Sequence, residues 1–128
     1  VGGLGPMAGQ AHHFRVYADV KDDYAIERYE RECQKLYAVL EGQLQAKSFL
    51  AVPYSIADIA VLPYCRIAVL PWVFRHVRHG IDLADYPSVL NWYTELMARP
   101  AVATGFSVGE DLMLEGGFNS AAAKKSLF

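Results

Sequence analysis

The chain has no long uncharged apolar run, no basic cluster, no closely spaced cysteines and no stretch of strand-like alternation. Each absence removes a class of fold or function. A membrane-spanning helix needs about 20 consecutive apolar residues, and the nearest candidate, residues 59–74, is interrupted by Pro63, Arg66 and Pro71. The opening VGGLGPMAGQ carries neither a basic segment nor a continuous apolar core, so no signal peptide is expected there. Lysines and arginines are scattered and the formal net charge is −2 over 128 residues, which leaves no electrostatic footprint for nucleic acid. Cys33 and Cys65 form no CxxC pair, and each falls in an apolar helical pattern. A reduced, intracellular pair of packing residues is the expectation, with a disulfide as the alternative. With 53% hydrophobic and 20% charged residues, a soluble, cytoplasmic globular protein is what remains. Without alternating apolar and polar residues of useful length, its class is all-α.

The helical pattern is clearest over residues 24–45, where Ile26, Tyr29, Cys33, Leu36, Leu40 and Leu44 step by three and four along one face. Asp22 and Asp23 suit the cap and the positive end of the helix dipole, and Glu27–Arg31 and Arg28–Glu32 are spaced as i,i+4 pairs. Before this helix, Gly2, Gly5 and Gly9 would share one helical face, an arrangement that suits the close approach of another backbone. Further on, YSIADIAVLPYCRIAVLPWVF opens with Ser55-Ile56-Ala57-Asp58, a capping box in which the hydroxyl accepts from the Asp58 amide and the carboxylate reaches back to the Ser55 amide. Tyr54 is placed to staple onto Ile59. The segment therefore predicts a capped, water-excluded core helix. Arg75, His76, Arg78 and His79 before Gly80 form a helix end with a left-handed glycine. Tyr86-Pro87 starts another helix, with Leu90, Tyr93, Leu96 and Met97 facing inward, and Pro100 begins a short turn through Ala103.

Together, YSIADIA and IDLADYPSVLNWYTELMARPAV resemble the C-terminal helical domain of the cytosolic glutathione transferases. GGLGPMAGQAHHF and YAIERYERECQKLYAVL are similar to the nu class, the branch of glutathione-dependent disulfide reductases. The resemblance implies a helical bundle over residues 1–106, a tail at 107–128, and a thioredoxin-like domain ahead of Val1 that holds most glutathione contacts. It implies glutathione as substrate with no metal, a small electrophile or disulfide as second substrate, and a homodimer. It places no catalytic residue in this segment, which alone should have almost no activity. Arg28 falls where the nu class holds glutathione with an arginine, a sensible use of a guanidinium fork for a carboxylate. His13, Phe14 and Tyr24 fall where the family borders its acceptor pocket.

Plainer readings of the same residues stay open. Arg28 would be an exposed cation paired with Glu32. His12, His13 and Phe14 would be a polar-aromatic helix end. Zinc at His12-His13 or His76-x-x-His79 lacks a third ligand placed nearby. Cys33 sits on the apolar stripe and reads as packing, and Ser55 and Asp58 read as structural. The alternative function is a non-catalytic, transferase-like dimerisation or scaffolding module. One departure from the family stands out: eight additional residues, 61–68, precede the Pro-Trp that normally follows IADIA. They predict a longer helix bent near Pro63 and Pro71, with Arg66 reaching a surface or an acid.

Overall fold

Leu4, Ala8 and Ala11 set the first packing decision of the chain. They lie one turn apart on a helix, α1 (Leu4–His12), and all three are buried. The computed structural model describes residues 2–65, 77 and 79–108. It divides into two units, Val1–Thr94 and Glu95–Phe128.

In the first unit, α1 packs along α2 (Asp23–Ala46). Ala8, Ala11 and Cys33 are all fully buried, and side chains this small let two helices approach closely. The small-residue contact therefore uses alanines. A Cβ on Gly9 would meet nothing within 4 Å, and one on Gly3 would meet only the Leu36 side chain at 3.4 Å. The expected helix over 24–45 is present with almost the expected ends, capped by Asp22, whose carboxylate accepts from the Ala25 amide at 3.1 Å. Its buried line runs through Ala25, Cys33, Tyr37 and Leu44.

α3 (Ile56–Val61) begins with the capping box formed in both directions. The serine hydroxyl's close contact is the Ala57 amide, at 3.2 Å, one residue earlier than expected. Asp58 is fully buried and does far more than cap. Its Oδ2 accepts from the Ser55 amide at 3.0 Å and the Ser55 hydroxyl at 3.5 Å, and its Oδ1 accepts from the Leu50 amide and Trp92 Nε1, both at 2.9 Å. One carboxylate thus ties a loop, a helix start and a distant indole together. One expectation needs correction. Ile59 is 53% exposed and Ile56 84% exposed, so the helix buries the face of Asp58 and Leu62 rather than its whole girth. The Tyr54 ring packs beside Phe49, with centroids 5.6 Å apart. At Pro63, which has no amide to donate, α-helix gives way to a 3-10 turn, Leu62–Cys65. The expected course of the added residues beyond this turn, with Arg66 and Pro71, lies outside the described residues.

Gly80 adopts the left-handed backbone expected of it, with φ 75°. A 3-10 turn, Leu83–Asp85, is capped by Asp82 and leads into α4 (Pro87–Met97). Tyr93 and Leu96 are buried as their spacing predicts, and Val89 and Trp92 are buried too. In the second unit α5 (Pro100–Ser107) continues past the expected stop at Ala103. The remainder of the expected tail, from residue 109, lies outside the described residues. The class is all-α, with no strand among the described residues.

The start of α4 is capped from another helix. Tyr86 cannot cap the amides that follow it, and Glu41 of α2 accepts from Ser88 N at 3.0 Å and Val89 N at 3.0 Å. Burial pushes the Glu41 carboxyl up, but its hydrogen bonds to Ser88 and Val89 outweigh that and hold it below the usual carboxylate range. A carboxyl depressed on folding stabilises the fold above its unfolded pKa of about 4.3 and loses that effect as the pH falls through the folded value. Glu41→Gln is therefore expected to cost about 1 kcal/mol at pH 7 in urea unfolding. The gap from the wild type should close as the pH is lowered below about 4.

Candidate functional site

The cap at Asp22 fixes where α2 starts, and thereby which residues share its outer face. Tyr24, Arg28, Arg31 and Lys35 recur at helical spacing and, with Glu27 and Glu32, line a surface groove of about 290 Å³. Tyr24 is 73% exposed at the mouth of the helix. Glu32 is committed to Lys35, at 2.8 Å. The hydrogen bond and charge of Lys35 lead the effects that hold the Glu32 carboxyl below the usual range, with smaller contributions from Arg28 and Arg31. Neither expected i,i+4 contact, Glu27–Arg31 or Arg28–Glu32, is made. Lys35 reaches Glu32 from one turn on and takes the place foreseen for Arg28. Among the described residues, the Arg28 guanidinium is left without an ion-pair partner, beside a phenol. Such a pair can hold a carboxylate by a guanidinium fork and a hydroxyl donor.

His13 and Phe14 do not line this groove. They lie on a π-helical turn, His13–Tyr17, that follows α1 and closes with Ala18 N donating to His13 O at 2.8 Å. Turns of this kind are uncommon and concentrate at functional sites. Phe14 stacks on Tyr29 of α2, with centroids 5.5 Å apart and planes 8° from parallel. His13 stands edge-on to Phe14 at 5.1 Å. Tyr29 follows Arg28 directly, so α2 presents the groove on one face and the aromatic stack on an adjoining one. Three residues that sequence reasoning passed over hold the turn. Arg15 pairs with Glu30 of α2, and Lys21 Nζ donates to the carbonyls of Arg15 at 3.0 Å and Phe14 at 3.4 Å. Lys21 was legible as a cation just past a helix end; the Arg15–Glu30 pairing had no local signal.

The other candidates fall into place by burial and distance. Cys33 is fully buried, and burial first, then the charge of Glu32, pushes its thiol up to about 11. A thiol so protonated is a packing group, as the apolar stripe predicts. His12 faces Tyr17 at 4.7 Å and His79 at 6.1 Å between ring centroids. His76 lies outside the described residues. Among the described residues no three metal-ligating side chains converge, and no helix is long and apolar enough to cross a membrane.

Residues 23–95 match the family model described as Glutathione S-transferase, C-terminal domain. The chain is 49% identical over 102 residues to the disulfide-bond oxidoreductase YfcG of Escherichia coli (strain K12), a match covering 79% of this chain and 44% of that protein. It is 38% identical over 100 residues to the disulfide-bond oxidoreductase YghU of the same organism, covering 77% of this chain and 34% of that one. Among solved structures, a glutathione transferase from Pseudomonas putida with one glutathione disulfide bound per subunit superposes with a TM-score of 0.72 at 32% identity, over 84% of this chain and 46% of that one. The chain thus spans less than half the length of each of these relatives.

Proposed function

The chain belongs to the glutathione S-transferase family through its C-terminal domain, and from that premise we propose that it is the helical part of a glutathione-dependent disulfide reductase. Two glutathione thiols are oxidised to one disulfide while one acceptor disulfide is reduced to two thiols, so electrons and protons balance without a further co-reactant. In this reading residues 1–106 form the helical domain and 107–128 a tail. An upstream domain positions the glutathione sulfur, and Arg28 anchors a glutathione carboxylate from the groove it shares with Tyr24. His13 and Phe14 face the acceptor. The protein acts as a cytoplasmic homodimer.

One observation carries the reading. Arg28 lines a groove in which Glu32 is held by Lys35 and Arg28 itself makes no ion pair among the described residues, so its charge is available to an incoming carboxylate. The support for disulfides as acceptors comes from the two oxidoreductases to which the chain is similar.

Titration of the full-length protein with glutathione tests it. Arg28→Ala is expected to weaken binding about tenfold or more, the loss of one charge-assisted hydrogen-bonded pair. Unchanged affinity would leave Arg28 as a surface cation and remove the role assigned here to the groove.

A further inference from the structure

The π-helical turn carrying His13 and Phe14 is capped on its carbonyls by Lys21 and held against α2 by two contacts, the Phe14–Tyr29 stack and the Arg15–Glu30 ion pair. The ion pair differs from the others in having a backstop. Glu30 Oε1 is buried, and close to it lies Gly80, where an added Cβ would stand 2.8 Å from Glu30 Cγ and Cδ. The Gly80 backbone is itself fixed by its left-handed φ of 75° and by its amide, which donates to Val77 O at 3.0 Å. Glu30 therefore sits between a guanidinium partner and the Gly80 turn, close enough to the latter that only a glycine fits there. A π turn holds one more residue per hydrogen-bonded ring than the α-helix it extends, so contacts of this kind decide whether it persists.

We propose that Glu30 is a positioning residue. Acting through Arg15, it holds the π turn in the register that presents His13 and Phe14 to the acceptor, and so governs acceptor affinity without touching glutathione. The kinetic consequence rests on the function proposed above; the mechanical one does not.

In the full-length protein, Glu30→Gln is expected to raise the KM for bis(2-hydroxyethyl) disulfide about tenfold and to leave the KM for glutathione within about twofold. The exchanged pair Arg15→Glu with Glu30→Arg should recover most of that loss, since it restores the attraction across the same gap. Ser55→Ala weakens the fold at a helix start away from the turn and serves as comparison, with both KM values unchanged. An unaltered disulfide KM in Glu30→Gln overturns the proposal, as does a parallel change in both KM values and kcat that the exchanged pair fails to reverse. If the wild-type protein shows no glutathione-dependent turnover, the proposed function fails by itself, and hydrogen exchange decides the positioning role. The Ala18 amide, bonded to His13 O at 2.8 Å, should then exchange at least about tenfold faster in Glu30→Gln. Equal exchange rates would overturn it.

Discussion

Asp58→Ala is expected to lower the stability of the helical domain by about 3–5 kcal/mol, the largest effect of any polar substitution among the described residues. The carboxylate is fully buried and accepts from the Leu50 amide, the Ser55 amide and hydroxyl, and Trp92 Nε1. A methyl group leaves these donors without their acceptor, at about 1–3 kcal/mol for each that water cannot reach, and the Trp92 bond is buried while the Leu50 and Ser55 bonds are partly so. Removing only one donor, by Trp92→Phe, should cost about 1–1.5 kcal/mol plus a small packing loss. Asp58→Asn should fall between, because its amide nitrogen confronts a donor on one side while its oxygen still accepts on the other. Chemical denaturation followed by tryptophan fluorescence measures all three. A loss of under about 1 kcal/mol for Asp58→Ala would mean that water enters and satisfies the donors, and that Asp58 is not a dry hub. Activity per folded molecule should be nearly unchanged, because Asp58 lies outside the groove and the π turn.

Gly80→Ala is expected to cost about 2–3 kcal/mol, from two separable causes. The backbone there has φ 75°, a region that penalises an alanine by about 1–2 kcal/mol. The new methyl would also stand 2.8 Å from Glu30 Cγ and Cδ. A free side chain would swing aside, but this one is bound to Arg15, so relief of the crowding means loosening the ion pair. Gly80→Asn separates the two, because asparagine tolerates the left-handed region better than alanine yet still brings a Cβ. Equal losses in both variants would assign the effect to crowding on Glu30; a smaller loss for asparagine assigns the difference to the backbone. Thermal unfolding that leaves both variants indistinguishable from the wild type would show that the turn accommodates a side chain, and the backstop for Glu30 would be gone.

Much of the fold was legible because its signals are local. The apolar spacing from Ile26 to Leu44, the acids before it, the Ser55–Asp58 box and the left-handed Gly80 each involve residues within a turn or two of one another. Local sterics and hydrogen bonding decide such features before tertiary structure exists. The misses have the opposite character. Trp92 on Asp58 and Glu41 on the start of α4 join residues 34 and 47 positions apart, and no periodicity announces them. The extent of burial of α3 was overestimated for a related reason. An apolar run such as IADIAV specifies a helix, but which of its faces meets other elements depends on where those elements lie.

The candidate site divides along the same line. Placement of Tyr24 and Arg28 on one face of α2 follows from a spacing of four, which any α-helix converts into adjacency. Whether Arg28 or Lys35 would take Glu32 depends on side-chain geometry that spacing leaves degenerate, since both lie within a turn of the acid. The π turn and its clamp were not legible, because a wider turn arises where contacts with a second helix outweigh the regular ladder.

By itself, then, the amino-acid order determined an all-helical chain, where most of its main helices start, and its membership of a family. Three-dimensional packing alone decided which acid pairs with which base, which carboxylate is dry, and how the segment after α1 is held. The reason is range: helix propensity, capping and periodicity act over a few residues, whereas burial and ion pairing depend on groups that only the folded chain brings together.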